Sequence, residues 1–144
     1  MLTLCETLQE DISNKGIFFV DTDSETSPAM SMRIKEYCAV FMNETVFSTS
    51  AEKAVVLAHE LGHCETGAFY NPYTPLETKG RCEAKANRYA VRALVPLDEL
   101  SRAMDACKTI DGVSLCDVAE YLQITESFLK TAIETYLQIG YAIA

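Results

Sequence analysis

Ala58-His59-Glu60-Leu61-Gly62-His63 contains the pattern H-E-x-x-H and holds both histidines of the chain. On an α-helix, residues four apart lie on one face, one turn above the other, so both imidazoles can reach a single ion. Neutral imidazole nitrogen is a standard Zn²⁺ ligand. Glu60 projects from the flank of that face, where a carboxylate can take a proton from a metal-activated water. The surroundings are helical. Thr49 and Glu52 have capping-box spacing, with Ser50 as a competing N-cap, and Gly67 is the expected stop. Between them Ala51, Ala54, Val55, Val56, Leu57, Ala58 and Leu61 make the helix apolar almost all round, the mark of a central helix.

Upstream of this helix, Leu2, Leu4, Cys5, Leu8 and Ile12 recur at helical spacing and predict an amphipathic first helix ending near Gly16. Ile17-Phe18-Phe19-Val20 is a short apolar run and reads as a buried strand. Two further strands are expected near 30–35 and 37–43, joined by a tight turn at Lys35-Glu36. Downstream, two prolines in the 72–75 segment argue against regular structure. Helices are then predicted over 76–95, ended by Pro96, and over 97–107, 114–122 and 125–139. The fold class is α+β: a small, mainly antiparallel sheet of about three strands packed on the central H-E-x-x-H helix, with a helical C-terminal half.

A catalytic zinc site has three protein ligands and an open position, so two histidines are one ligand short. A third histidine at H-x-x-G-x-x-H spacing is excluded, because Thr66 and Phe69 occupy the needed positions. The best candidate is Glu83, on the next long helix. Asn87 shares its face one turn later and can accept a hydrogen bond from a ligand imidazole. Cys64 and Cys82 are rivals by proximity in sequence, but neighbouring helical residues point about 100° apart, away from the metal face.

The chain has 144 residues, enough for one domain with a proper core, and a formal net charge of −9. Such an acidic chain is a poor ligand for nucleic acid phosphates or anionic membranes. The six cysteines include no C-x-x-C pair, which removes zinc-ribbon and thioredoxin-type readings. The N-terminus does not read as a signal peptide, and no apolar run reaches the roughly 18 residues of a membrane span. A cytoplasmic protein with reduced thiols is the simplest expectation.

Together, Ala58-His59-Glu60-Leu61-Gly62-His63 and Glu83-Ala84-Lys85-Ala86-Asn87-Arg88-Tyr89-Ala90, running into Leu94-Val95-Pro96, resemble the ImmA/IrrE family of zinc metallopeptidase-like proteins. The resemblance covers roughly residues 1 to 125. Family members often read E-x-E-A-N-x-F-A in the second motif; here Lys85 stands for the second Glu and Tyr89 for Phe. The resemblance implies a gluzincin-like core in which His59, His63 and Glu83 bind Zn²⁺ and Glu60 is the general base of peptide hydrolysis. It implies a zincin-like domain in residues 1–110, with a helix-turn-helix-like tail in 111–144 packed on it as a single compact unit. It also implies a phage or mobile-element setting and a protein substrate, often a cognate DNA-binding repressor.

An oxyanion donor is also needed, and Tyr70, Tyr73, Arg81 and Arg88 are the candidates among which the sequence does not choose. By fold analogy, an extended substrate would add to an edge strand beside the active-site helix, expected within Tyr37–Asn43. The tail invites a DNA-binding reading, but its last helix offers one Lys and no Arg or Asn, so direct nucleic acid contact is not expected. The alternative to an endopeptidase is a non-proteolytic regulatory binding protein with a structural or vestigial zinc site. Glu60 favours catalysis, since a structural site needs no base.

Overall fold

A computed structural model describes residues 2–140. In chain order the elements are α1 (Leu4–Asn14), β1 (Phe18–Asp21), β2 (Ala29–Ile34), β3 (Tyr37–Met42), a 3-10 turn (Glu44–Val46), α2 (Ser50–Thr66), α3 (Leu76–Leu94), α4 (Leu97–Ala106), α5 (Leu115–Leu122) and α6 (Glu126–Ile139). The fold is α+β as expected. Two compact units divide it, one ending at Ala90 and the other starting at Val91.

In the first unit, α1 starts at a full capping box: the Thr3 hydroxyl accepts from the Glu6 amide and the Glu6 carboxylate accepts from the Thr3 amide. Its apolar stripe of Cys5, Leu8 and Ile12 is buried, and α1 packs on α2 and β1. The strand order is β1-β3-β2. β2 and β3 form the expected antiparallel hairpin, whose turn is made by Lys35 in the left-handed region at φ 57°. β1 joins the other side of β3 in parallel, from Phe18↔Ala39 to Asp21↔Met42, so the sheet is mixed.

One consequence corrects an expectation. β3, placed at the edge by sequence reasoning, is the middle strand with both sides paired, and β2 is an edge. A strand paired on both sides has no free backbone donors for a further chain.

The register also defines two faces. Val40, Met42 and Cys38 lie on the side covered by α2, where Val40 and Met42 are fully buried. Phe18, Val20, Met30, Met32, Ile34, Tyr37, Ala39 and Phe41 lie on the other side. β1 is therefore not the buried strand its apolar run predicts: Phe18 is 55% exposed, because no described element covers that side.

The thiol expectation is corrected as well. Cys38 of β3 and Cys64 of α2 form a disulfide with Cα atoms 5.9 Å apart, while Cys5, Cys82, Cys107 and Cys116 are free. The bond ties the covering helix to the middle strand at a point the helix already touches.

The second unit holds α4, α5 and α6, with α5 packed against both others. Thr125 caps α6 by accepting from the Phe128 amide at 3.1 Å. The Tyr136 hydroxyl donates to the Val95 carbonyl at 2.6 Å, giving a buried phenol its partner. No helix among the described residues is long and apolar enough to cross a membrane.

Candidate metal centre

α2 and α3 supply the chemistry, and a glycine sets how closely they meet. A Cβ on Gly62 would stand 2.6 Å from the Ala86 carbonyl oxygen and 3.0 Å from its Cα. Only a residue without a side chain allows the backbones this close. Glu83 and Asn87 sit on α3, three residues before and one after Ala86, and are thereby delivered to the H-E-x-x-H face. α2 itself begins at Thr49, whose hydroxyl accepts from the Glu52 amide at 3.1 Å. It ends at Gly67, which takes the left-handed φ of 69°.

Three side chains converge. His59 Nε2 lies 2.8 Å from Glu83 Oε2, His63 Nε2 lies 3.4 Å from Glu83 Oε1, and the two Nε2 atoms are 3.2 Å apart. One ligand atom from each residue falls within 4.8 Å of the others, so the trio can hold a metal ion. The opposite ring nitrogens are also occupied. His59 Nδ1 is 2.7 Å from Asn87 Oδ1, and His63 Nδ1 is 2.6 Å from the Ala68 carbonyl oxygen. Both partners are acceptors, so each Nδ1 carries a proton and donates it, and Nε2 is the nitrogen left to face Glu83 and to ligate a metal ion. The left-handed turn at Gly67 is what brings the Ala68 carbonyl back under His63. Two imidazole lone pairs and a carboxylate facing one point form a donor set suited to a cation.

Tyr70 completes the cluster from the irregular segment after α2. Its hydroxyl donates a short hydrogen bond to Glu83 Oε1. That bond, with burial and nearby carboxylates, pushes the phenol up to about 12, so it remains a donor at neutral pH. Burial pushes the Glu83 carboxyl up, but the Tyr70 hydrogen bond and the two imidazoles outweigh it and hold it below its usual range. An ionised Glu83 is the form a metal ion requires.

Glu60 is buried and lines one open cleft of about 220 Å³ together with His63, Tyr70, Glu83 and residues Ala29, Met30 and Ser31 of β2. Of the four oxyanion candidates, Tyr70 alone comes to this cleft. Tyr73 is almost fully exposed, Arg81 pairs with Glu77 at 3.1 Å on the outside of α3, and Arg88 points to solvent. Cys64 is committed to Cys38, and the Cys82 thiol faces the Phe69 carbonyl, so neither rival thiol joins the trio. Sequence reasoning missed the roles of Gly62, Ala68 and β2. A glycine inside an apolar helix was the one available signal, since it marks a close backbone approach.

A small sheet on an H-E-x-x-H helix, with a carboxylate from the following helix beside both histidines, defines a metallopeptidase-type fold and site. The chain matches the family model described as the IrrE N-terminal-like domain, Peptidase M78, over residues 15–134, and it belongs to that family. No curated protein and no solved structure matches it.

Proposed function

We propose that the protein is a zinc-dependent endopeptidase. The observation that carries this reading is the convergence of His59, His63 and Glu83, with each imidazole oriented through Nδ1, beside the buried Glu60 in one open cleft. A zinc ion held by the trio would supply the Lewis acidity that lowers the pKa of water and polarises a carbonyl. Glu60 then accepts the proton of the attacking water and hands it to the leaving amine. Tyr70, a neutral phenol at the cleft wall, would turn its one proton from Glu83 to the developing oxyanion once that carboxylate serves as a metal ligand. Asn87 and the Ala68 carbonyl keep both imidazoles in the ligand tautomer.

The substrate is a protein or peptide. We assign its strand-like docking to β2, the edge strand whose Ala29, Met30 and Ser31 line the cleft. A cognate DNA-binding repressor of a phage or mobile element is the substrate the family membership favours, with the chain acting in the cytoplasm. We assign residues 111–144, of which 141–144 lie outside the described residues, to a helix-turn-helix-like tail that serves protein contact rather than DNA contact. The regulatory-binder alternative is disfavoured by the site itself: structural zinc sites are closed and four-coordinate, whereas this trio opens on a cleft that holds a carboxylate.

The test is zinc stoichiometry together with cleavage of a peptide library by the wild type and Glu60→Gln. One zinc per chain in both, and a loss of about 10²- to 10⁴-fold in cleavage rate for the variant, is the expected result. Cleavage undiminished in Glu60→Gln would remove Glu60 from the mechanism.

A further inference from the structure

The side of the sheet turned away from α2 is apolar throughout and uncovered. Phe18, Val20, Met30, Met32, Ile34 and Tyr37 are each between 38% and 55% exposed there. Their faces are shared by register: Val20 and Met30 both flank Phe41, Phe18 and Met32 both flank Ala39, and Tyr37 pairs with Ile34. The Phe18 and Tyr37 rings pack against each other with centroids 5.6 Å apart. A small sheet that meets solvent on one side normally alternates to polar residues there. At about 200 Å² for a full-sized apolar side chain, six side chains roughly half exposed leave on the order of 500–600 Å² in one patch. That is at the upper end of what a monomer exposes without a functional reason.

Two features of the patch indicate its occupant. It shares an edge with the cleft: Ala29, Met30 and Ser31 of β2 all line the space beside Glu60 and His63, and Met30 is the one of the three that belongs by register to the open face. Its cleft end is acidic: the β1–β2 connection carries exposed Asp23 and Glu25, and residues 16–32 contain no Lys or Arg. The connection is held in place by the Asn43 amide, which donates from its side chain to the Ser24 carbonyl and from its backbone to the Pro28 carbonyl. A second copy of the chain fits poorly. Two such patches would bury only about 1,100 Å², below the 1,200–2,000 Å² of a standard stable interface, and each copy brings a net charge of −9.

We infer that this face is an exosite for the protein substrate, gripping an apolar, strand-forming segment flanked by Lys or Arg while the scissile stretch lies along β2 in the cleft. The inference rests on the peptidase reading. It adds a second point of contact, outside the cleft, that selects substrates by an apolar and basic segment distant from the cut. Short peptides then meet the cleft alone, and their KM is high.

The test separates docking from cleavage. A fluorescein-labelled peptide of alternating Val and Lys is titrated against Glu60→Gln, and anisotropy is read at low ionic strength. Saturable binding is expected, weakened at least tenfold by Met32→Ser/Ile34→Ser and at least threefold by Asp23→Asn/Glu25→Gln. Exchanging Lys for Glu in the peptide is expected to abolish it. All four substituted side chains are exposed, and thermal unfolding checks that the variants fold. In parallel, a library-selected cleavable peptide is assayed with and without the Val/Lys segment attached. The attached segment is expected to lower KM about tenfold with kcat unchanged in wild type, and to change neither in Met32→Ser/Ile34→Ser.

Binding that is absent, or indifferent to both double variants, overturns the exosite, as does a KM that ignores the attached segment. A wild-type dimer that Met32→Ser/Ile34→Ser converts to monomer overturns it in favour of a second copy. Patch-dependent binding with no cleavage of any peptide by wild type would instead overturn the peptidase reading, and with it the face's role as a substrate exosite.

Discussion

On one side of the three-stranded sheet, Val40 and Met42 are completely buried beneath α2 and Cys38 is bonded to that helix. On the other side, Met32 and Ile34 are as apolar and stand 40% and 49% exposed. Alternate residues of the same strands supply both faces, so hydropathy does not separate them. What separates them is whether an element packs there. The covered face holds the structure and orients the metal-binding trio through α2. The uncovered face contributes little to folding and is available for something outside the unit.

Paired truncations of one residue type test this division most directly. Met42→Ala removes a fully buried side chain on the covered face and is expected to cost about 2–5 kcal/mol of unfolding free energy. Met32→Ala, on the open face, is expected to stay within about 0.5 kcal/mol of wild type. Urea melts at unchanged m-value give both numbers. Equal costs would break the comparison, since they would mean that the open face is buried in solution.

The disulfide belongs to the covered face and should come next in size. Cys38 and Cys64 are 26 residues apart in sequence, and a crosslink closing a loop of that order stabilises by about 3 kcal/mol, chiefly through the unfolded chain. Cys38→Ser/Cys64→Ser is expected to lower the unfolding free energy by that amount in urea melts in non-reducing buffer and to make the melt insensitive to a phosphine reductant. The wild type should lose stability when the reductant is added. A wild type that melts identically with and without reductant would show that the bond is not formed in solution.

These two faces also mark how far the sequence could be read. Helices and strands are readable because their signals are local: Thr49 and Glu52 at the start of α2, Gly67 at its end, and the strand-forming residues of 30–35 and 37–43. The Thr3–Glu6 capping box at the start of α1 is an equally local signal. Glu83 and Asn87 were reachable because four-residue spacing puts them on one face of a helix. Strand order was not readable, because β1 joins β3 in parallel across two intervening segments, and no local pattern encodes which side it takes. The pairing of Cys38 with Cys64 was hidden for the same reason, six cysteines allowing many partners. Tyr70 and Tyr73 are three residues apart in an irregular segment, and only the turn after Gly67 decides that Tyr70 faces Glu83 and Tyr73 faces solvent.

The smallest change with a defined consequence is a single methyl group on the far side of α2. Gly62→Ala tests whether the covered side is as tight against α3 as it is against the sheet. Two effects oppose each other. Alanine is favoured over glycine in a helix by up to about 1 kcal/mol, while overpacking costs about 1–3 kcal/mol. The atoms met are the Ala86 carbonyl oxygen at 2.6 Å and Cα at 3.0 Å, which are backbone and cannot swing aside. Overpacking should therefore win, with a net loss of about 1–2 kcal/mol in urea melts of the metal-free chain. Relief requires α3 to retreat, and Glu83 and Asn87 must retreat with it. Zinc affinity, read by chelator competition, is then expected to fall at least tenfold, in the range found when a residue orienting a ligand is removed. A Gly62→Ala chain that is more stable than wild type and binds zinc equally well would show that α2 and α3 have slack between them. The close approach would then not be what brings Glu83 to the histidines.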